Sequence, residues 1–359
     1  MSSYSLFPQT AKIRPSLSQH YRADEQQMVQ NLIEQANTDS HAQAIQTLTK
    51  DLVHKVRSAR KTASSVDALM HEFSLSSQEG IALMCLAEAL LRIPDKTTAD
   101  KLIRDKISQG DWRAHIGNSP SMFVNAAAWG LLISGKVVST HSENGLSSAL
   151  SRLITKGGEP LIRRGVDMAM RLLGKQFVTG QTIEQALKNS EERCAQGFRY
   201  SYDMLGEAAF TEEDAQRYYQ DYIRAIHAVG QISQGLGVYE SSGVSVKLSA
   251  IHPRYSLAQH ARVMEELYPR LKELFLLAKR YNIGLNIDAE EAERLEISLD
   301  LMHRLLNDAD LAGFDGIGFV VQSYQKRCAF VIDELIDQAR ANQRKIMIRL
   351  VKGAYWIVK

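Results

Sequence analysis

The sequence is poor in the features that mark several classes of protein. Among its 359 residues are only three cysteines, Cys85, Cys194 and Cys328, and no two of them form a CxxC pair. We therefore expect no disulfide framework and a reducing, cytoplasmic compartment. No stretch of about 18 apolar residues is present, as a membrane-spanning helix would require. The first 21 residues also lack the apolar region of a secretory signal.

The charges of the chain are nearly balanced. Lys and Arg number 43 against 41 Asp and Glu, a formal net charge of +2. A dedicated nucleic-acid binder would carry a larger basic excess, so that class is excluded. The histidines show no HxxxH or HExxH spacing, and we predict no metal site.

Hydrophobic residues make up 45% of the chain, enough for a sizeable core. Helical spacing with narrow apolar stripes predicts a helical arm over residues 1–57. Helical patterns with clearer start signals predict an all-helical domain over 58–178. Residues 179–359 have a different pattern and form the third predicted region.

In that third region, short β-type runs alternate with helical patterns. The runs cover residues 198–205, 245–250, 284–288, 316–322 and 345–356. This alternation is typical of βαβ units and a parallel sheet, either doubly wound or closed as a (β/α)8 barrel. A doubly wound nucleotide domain usually shows GxGxxG after its first strand, and Gly235 and Gly237 do not have that context. We therefore predict a partial (β/α)8 barrel with about five strands present.

Polar side chains stand at the ends of these predicted strands, where an apolar residue would be expected. Barrel active sites lie at the carboxyl ends of the strands, so these residues predict one shared pocket. They are Asp203, Glu207, Lys247, Asp288, Gln322, Lys352 and Tyr355.

Each of these residues also has a structural explanation. Asp288 could cap the following helix, Lys247 could extend its amine to water, Lys352 could lie on the surface and Gln322 could bind loop backbone. Their joint occurrence favours a site, but the spacing leaves its chemistry open. Lysines at strand ends could form Schiff bases. Alternatively, Lys247 could clamp a carboxylate while Arg349 and Lys352 face a phosphorylated cofactor.

Several long blocks, in order along the chain, resemble the proline dehydrogenase half of bacterial proline utilization A. The resemblance covers about residue 58 almost to the end, and is weaker in the arm. The blocks include EFSLSSQEGIALMCLAEALLRIPD, GEPLIRRGVDMAMRLLGKQFVTG, FRYSYDMLGEAA, NIDAEEAERLEISLDL, GFVVQSYQKR and IRLVKGAYW.

The resemblance implies a distorted (β/α)8 barrel that holds FAD without a dinucleotide-binding fingerprint. It implies oxidation of L-proline to 1-pyrroline-5-carboxylate, with electrons passed to a membrane quinone. It also implies a cytoplasmic protein that associates peripherally with the inner membrane during turnover and assembles as a homo-oligomer at full length.

The resemblance also assigns roles to single residues. Lys247 matches the lysine that pairs with the proline carboxylate, Asp288 the active-site aspartate, and Tyr355 an aromatic wall of the pocket. Glu207 matches an acid of the substrate gate. The positions that match flavin contacts are Gln322, Arg349, Lys352, Gly353, Ala354 and Trp356.

Several parts of the family pattern are not found in this sequence. We see no ribbon-helix-helix module before the arm, so no nucleic-acid partner is expected. About three barrel strands, an arginine pair on the last helix and an NAD-dependent glutamate semialdehyde dehydrogenase half are not in this sequence. The alternatives to a proline dehydrogenase are a Schiff-base barrel lyase and an inactive fragment that dimerises through its arm.

An incomplete barrel would leave strand edges unpaired and its inner face open to water. We expect that exposed inner face to include Val246, Leu248, Ile287 and Val321. Residues 1–359 alone should therefore be poorly soluble or molten, and should bind FAD weakly.

Overall fold

The structure is a computed structural model that describes residues 14–36, 39–59, 178–206, 208–233 and 235–353. Met1–Asn37 and Ser190–Lys359 form one compact unit, and Thr38–Asn189 form a second. The predicted all-helical domain lies almost entirely outside the described residues.

The described part of the predicted arm is helical. Its helices are α1 (Pro15–Tyr21), α2 (Glu25–Gln35) and α3 (Ala42–Ala59), with a 3-10 turn at Asp39–His41. Proline at the first position of α1 loses no helical hydrogen bond, since that N–H has no partner within the helix. Asp24 caps α2, because its Oδ1 accepts from the Gln27 backbone N–H at 2.8 Å.

Five parallel strands form one sheet in the order β1-β2-β3-β4-β5. A doubly wound sheet reverses its strand order at a switch point, whereas a barrel wall adds each strand beside the previous one. The predicted α/β half-barrel with about five strands is thereby confirmed. The strands are β1 (Ser201–Asp203), β2 (Gly243–Val246), β3 (Leu285–Ile287), β4 (Ile317–Gln322) and β5 (Met347–Val351).

Helices precede β1 and connect the successive strands. None of the helices described here is both long and apolar enough to cross a membrane. A helical turn at His260–Arg262 and a π-helical segment at Val263–Leu267 lead into α6. The helices are α4 (Ile183–Ala195), α5 (Glu212–Ser233), α6 (Tyr268–Tyr281), α7 (Leu295–Leu306) and α8 (Cys328–Ala341). Short 3-10 turns lie at Leu248–Ala250, Leu257–Gln259, Ala292–Arg294 and Ala309–Leu311.

The main apolar core lies between the sheet and these helices, which corrects one expectation. Val246, Leu248, Ile287 and Val321 were expected to face an open interior, yet all four are buried. Side chains alternate between the two faces of a strand. The residues that neighbour these four along the strands therefore point to the inner face of the half-barrel. There the chain places polar side chains, and Ser245 on β2 bonds across the interior to Arg349 on β5. The exposed apolar residue of the sheet is Leu350 instead, at 58%.

Candidate active site

Four charged side chains meet at the carboxyl ends of the strands. Asp203 ends β1, Lys247 follows β2 directly and Asp288 follows β3 directly. Arg349 lies within β5 and reaches toward the same point. Parallel pairing brings these positions together, because it places Asp203 beside Ser245 and Val246 beside Ile287.

Lys247 is the centre of this cluster and is 8% exposed. Its Nζ forms an ion pair with Asp203 Oδ1 and lies 3.3 Å from Asp288 Oδ2. Burial opposes the charge on Lys247, but Asp203 and then Asp288 outweigh it and raise the pKa above its ordinary value. The backbone N–H of Lys247 donates to the buried Tyr222 hydroxyl at 3.0 Å. Lys247 is therefore a fixed ammonium group.

Asp288 is held from two sides. Its backbone N–H donates to the Val246 carbonyl at 2.9 Å, which continues the β2–β3 pairing. Its Oδ1 accepts from the Ala289 N–H and from Arg349 Nη2, each at 3.0 Å. These contacts fix the carboxylate beside Lys247.

Arg349 crosses the inner face of the half-barrel. Nη1 donates to Ser201 Oγ and Nη2 to Ser245 Oγ, both at 3.1 Å. Nε of Arg349 is buried and has no hydrogen-bond partner among the described residues. Ser201 and Ser245 were not among the residues predicted from the sequence. The pattern that could have identified them is a small polar residue that alternates with apolar residues within a short strand.

Gln322 and Gly353 form a second part of the site, beside the first. Gln322 is 5% exposed, and its Nε2 donates to the Glu290 carbonyl at 2.7 Å. Its Oε1 is buried and has no hydrogen-bond partner in the described part of the chain. Gly353 has φ of 94°, and a Cβ there would lie 2.8 Å from Gln322 Oε1 and 2.4 Å from the Tyr324 ring. Only glycine fits this position without displacing its neighbours.

Glu290 supports Gln322 and was also missed. Burial raises its pKa, although its Oε1 accepts from the Ser249 N–H at 3.0 Å and Arg294 lies 2.8 Å from its Oε2. Glu290 belongs to the acidic run directly after the third strand, and that run could have identified it. Only Asp288 of the run was predicted as a site residue.

The remaining predicted residues do not join the cluster in the described structure. The Lys352 side chain is exposed, and its carbonyl accepts from the Tyr324 N–H at 3.3 Å. Among the described residues, no group of three or more His, Cys, Asp or Glu side chains could hold a metal ion. Four predicted residues lie outside the described part of the chain: Glu207, Ala354, Tyr355 and Trp356.

Three family models match the chain in succession. "Proline utilization A proline dehydrogenase N-terminal domain" matches residues 12–57 and "Proline dehydrogenase" matches 186–358. "DNA-binding domain of Proline dehydrogenase" matches 65–177, and its name stands against the expectation of no nucleic-acid partner.

Individual relatives agree with these models. The chain is 61% identical over 356 residues to the bifunctional protein PutA of Klebsiella aerogenes, covering 98% of this chain and 27% of that protein. It is 30% identical over 186 residues to proline dehydrogenase 1 of Bacillus subtilis, covering 52% of this chain and 53% of that protein. A crystal structure of a Bradyrhizobium japonicum proline utilization A mutant superposes with a TM-score of 0.62 at 38% identity, covering 98% of this chain and 34% of that one. The chain thus spans about a quarter of the length of the curated bifunctional relative.

Proposed function

Because this chain belongs to the proline utilization A family, as its N-terminal proline dehydrogenase portion, we propose that it takes part in FAD-dependent oxidation of L-proline to 1-pyrroline-5-carboxylate. The observation that carries the proposal is the row of alternating charges Asp203, Lys247, Asp288 and Arg349 at the carboxyl ends of the strands. A fixed ammonium group set among carboxylates suits a small amino acid that carries both charges.

The inner face of the half-barrel fits a flavin ring. Gln322 Oε1 is a buried acceptor and Arg349 Nε a buried donor, both without partners among the described residues. The polar edge of an isoalloxazine carries both an N–H donor and carbonyl and ring-nitrogen acceptors, so it can satisfy both atoms. The residues that would hold FAD are Gln322, Arg349, Lys352, Gly353, Ala354 and Trp356. When bound, FAD supplies the acceptor for the two electrons removed from proline.

The protein's own part is to bind and orient the substrate. Lys247 keeps its proton because the neighbouring carboxylates raise its pKa. An ammonium group has three donors, and two of them face Asp203 and Asp288. The third is available to the substrate carboxylate. We assign Tyr355 to a wall of the proline pocket and Glu207 to its gate.

The same geometry disfavours the Schiff-base alternative. A lysine must lose its proton before it can attack a carbonyl, and Schiff-base lysines accordingly have lowered pKa values. The pKa of Lys247 is raised instead. The Lys352 side chain is exposed and lies outside the cluster of charged residues around Lys247.

The test is made on the complete gene product. It should purify with bound FAD and reduce an electron-accepting dye when L-proline is added. Borohydride treatment in the presence of substrate should leave Lys247 and Lys352 unmodified. A protein that cannot be loaded with FAD, or a trapped lysine adduct, would overturn the proposal.

We extend the proposal to the partners of the whole protein. Electrons pass to a membrane quinone at a peripheral contact with the inner membrane, and the protein is otherwise cytoplasmic and homo-oligomeric. A further region of the gene product oxidises glutamate semialdehyde with NAD. Support comes from the identity to the relative named as bifunctional.

The name of the 65–177 model gives a nucleic-acid partner that the sequence analysis did not expect. Titration of the complete gene product with a fluorescent DNA duplex at low salt tests this partner, because DNA binding through a cationic surface gives a salt-sensitive complex.

A further inference from the structure

We propose that the N-terminal segment, residues 14–25, positions the loop that follows β4 and through it the flavin side of the site. The segment includes α1, and the β4–α8 loop consists of residues 323–327, between Gln322 and Cys328. The inference rests on the proposed function, because FAD is the group beside which this loop would lie. Within the segment it assigns Tyr21 the role of a positioning residue, which acts through Arg327 and the loop.

The β4–α8 loop lies against the residues at the ends of β4 and β5. It begins directly after Gln322, whose Oε1 is buried and without a hydrogen-bond partner among the described residues. The Tyr324 N–H donates to the Lys352 carbonyl at 3.3 Å, and a Cβ on Gly353 would lie 2.4 Å from the Tyr324 ring. A displaced loop would therefore move Gln322 and Gly353, two of the residues proposed to hold FAD.

The N-terminal segment contacts the same loop at its other end. Lys326 Nζ donates to the Ala23 carbonyl at 2.7 Å. The Arg327 guanidinium lies over the Tyr21 ring, with its central carbon 4.2 Å from the ring centroid. Arg327 is only 2% exposed, and a cation on an aromatic face is stabilised most where water is excluded. Tyr21 therefore completes the surroundings of a buried charge.

Arg327 transmits this contact to the loop. Its Nε donates to Gln325 Oε1 at 3.0 Å within the loop. Its Nη1 lies 3.2 Å from Glu296 Oε1, and Arg14 Nη1 lies 3.5 Å from Glu296 Oε2. The N-terminal segment thus holds Arg327 through the Tyr21 ring and through the carboxylate that Arg14 shares. Because a buried charge without partners is costly, loss of these contacts favours a rearranged Arg327 and a displaced loop.

The experiment measures the affinity of the complete gene product for FAD, by titration with FAD after its flavin has been removed. We expect Tyr21→Ala to raise the dissociation constant about tenfold, the effect of losing one desolvated cation–π contact. Tyr21→Leu keeps an apolar side chain without the aromatic face and should repeat that loss. Tyr21→Phe keeps the ring beneath Arg327 and should retain the affinity of the unmodified protein.

A second measurement separates the flavin from the substrate. At saturating FAD, the KM for L-proline should change by less than about twofold in Tyr21→Ala. The reason is that Lys247 is held by its own contacts with Asp203 and Asp288.

Two variants serve as controls. Gln19→Ala changes an exposed side chain of the same helix, α1. Tyr239→Ala removes an exposed tyrosine shortly before β2, at the amino end of that strand and so at the opposite end of the sheet from the site. Both variants should leave the affinity for FAD unchanged.

The outcomes are distinct. If Tyr21→Ala lowers the free energy of unfolding but leaves the affinity for FAD unchanged, the segment only stabilises the fold and the inference is wrong. An equal loss of FAD affinity in Tyr21→Phe would also overturn it, since the ring would then not be the cause. If the unmodified protein neither binds FAD nor oxidises proline, the proposed function itself fails, which is measured separately.

Discussion

Lys247 shows how neighbouring side chains decide the state of a single residue. Burial alone would favour the neutral amine, yet Asp203 and Asp288 keep the group charged. If the ammonium were removed, Asp203 would lose its ion-pair partner while Asp288 would keep its contact with Arg349.

Replacement of Lys247 tests the carboxylate clamp. We expect Lys247→Ala to raise the KM for proline by roughly 10- to 150-fold, the effect of losing about 1.5–3 kcal/mol from one charge-assisted contact. Flavin content should stay nearly unchanged. Lys345→Ala, which removes an exposed lysine paired with Asp315, is the control. Loss of flavin with an unaltered KM would instead assign Lys247 to the cofactor.

Gly353 tests the flavin side of the site. We expect Gly353→Ala to lower the free energy of unfolding by about 1–3 kcal/mol and to reduce bound FAD, because φ is positive and the added methyl meets Gln322 and Tyr324. Gly313→Ala is the control variant. It also places an alanine at a positive φ, 73°, but no atom lies within 4 Å of the new Cβ. It should cost stability without loss of FAD. Urea denaturation and flavin absorbance measure the two effects.

At the scale of the elements, Asp308 links α6 to the segment between α7 and β4. Its carboxylate accepts from the Tyr268 hydroxyl at 2.5 Å and lies 2.8 Å from Lys272 Nζ. Burial opposes its charge, but the hydrogen bonds from Lys272 and Tyr268 outweigh burial and lower the pKa of Asp308. The folded state therefore binds the proton more weakly than the unfolded chain does.

The sign of that shift predicts a pH dependence. A lowered pKa stabilises the fold above the unfolded value and loses this effect as the pH falls through the folded value. We expect Asp308→Asn to cost about 1–2 kcal/mol at pH 7 and progressively less as the pH is lowered below about 4. Urea denaturation across pH measures the difference. Asp310→Asn, at a side chain 66% exposed, should cost under about 1 kcal/mol; a pH-independent cost at Asp308 would contradict the explanation.

At the scale of the compact unit that contains the sheet, the N-terminal segment is tied to α7 and α8. Arg14 is buried and lies 2.8 Å from Asp300, 3.2 Å from Glu334 and 3.5 Å from Glu296. His20 stacks on Phe330 with ring centroids 3.7 Å apart. Arg14 and α1 thus pack on helices nearly 300 residues away in the chain.

Replacement of Arg14 tests whether its ion pairs hold the N-terminal segment on α7 and α8. Arg14→Ala would leave three partly buried carboxylates without their shared cation, a loss on the order of 3–5 kcal/mol. We expect the segment around α1 to detach, with faster hydrogen exchange in α1 and cleavage there by a protease. The exposed Arg22 is the control, and Arg22→Ala should leave the segment protected. Unchanged exchange in Arg14→Ala would show that apolar contacts alone hold α1.

The sequence by itself determined the order and number of the strands and the polar positions at their ends. Local patterns suffice for this, because apolar runs and the helical spacing between them depend on neighbours a few residues apart. Lys247, Asp288 and Gln322 could be found because a polar residue that ends a buried strand is locally conspicuous.

Only the tertiary structure decided which face of each strand is inside and which side chains meet. In a strand, successive side chains face opposite sides of the sheet, but this rule does not say which side the helices cover. The sequence analysis therefore placed Val246 and Ile287 on the inner face, whereas both are buried. The contacts of Lys247 with Asp203 and of Arg14 with Asp300 span 44 and 286 residues. Pairing over such distances depends on strand register and helix packing, and no local pattern of residues records it.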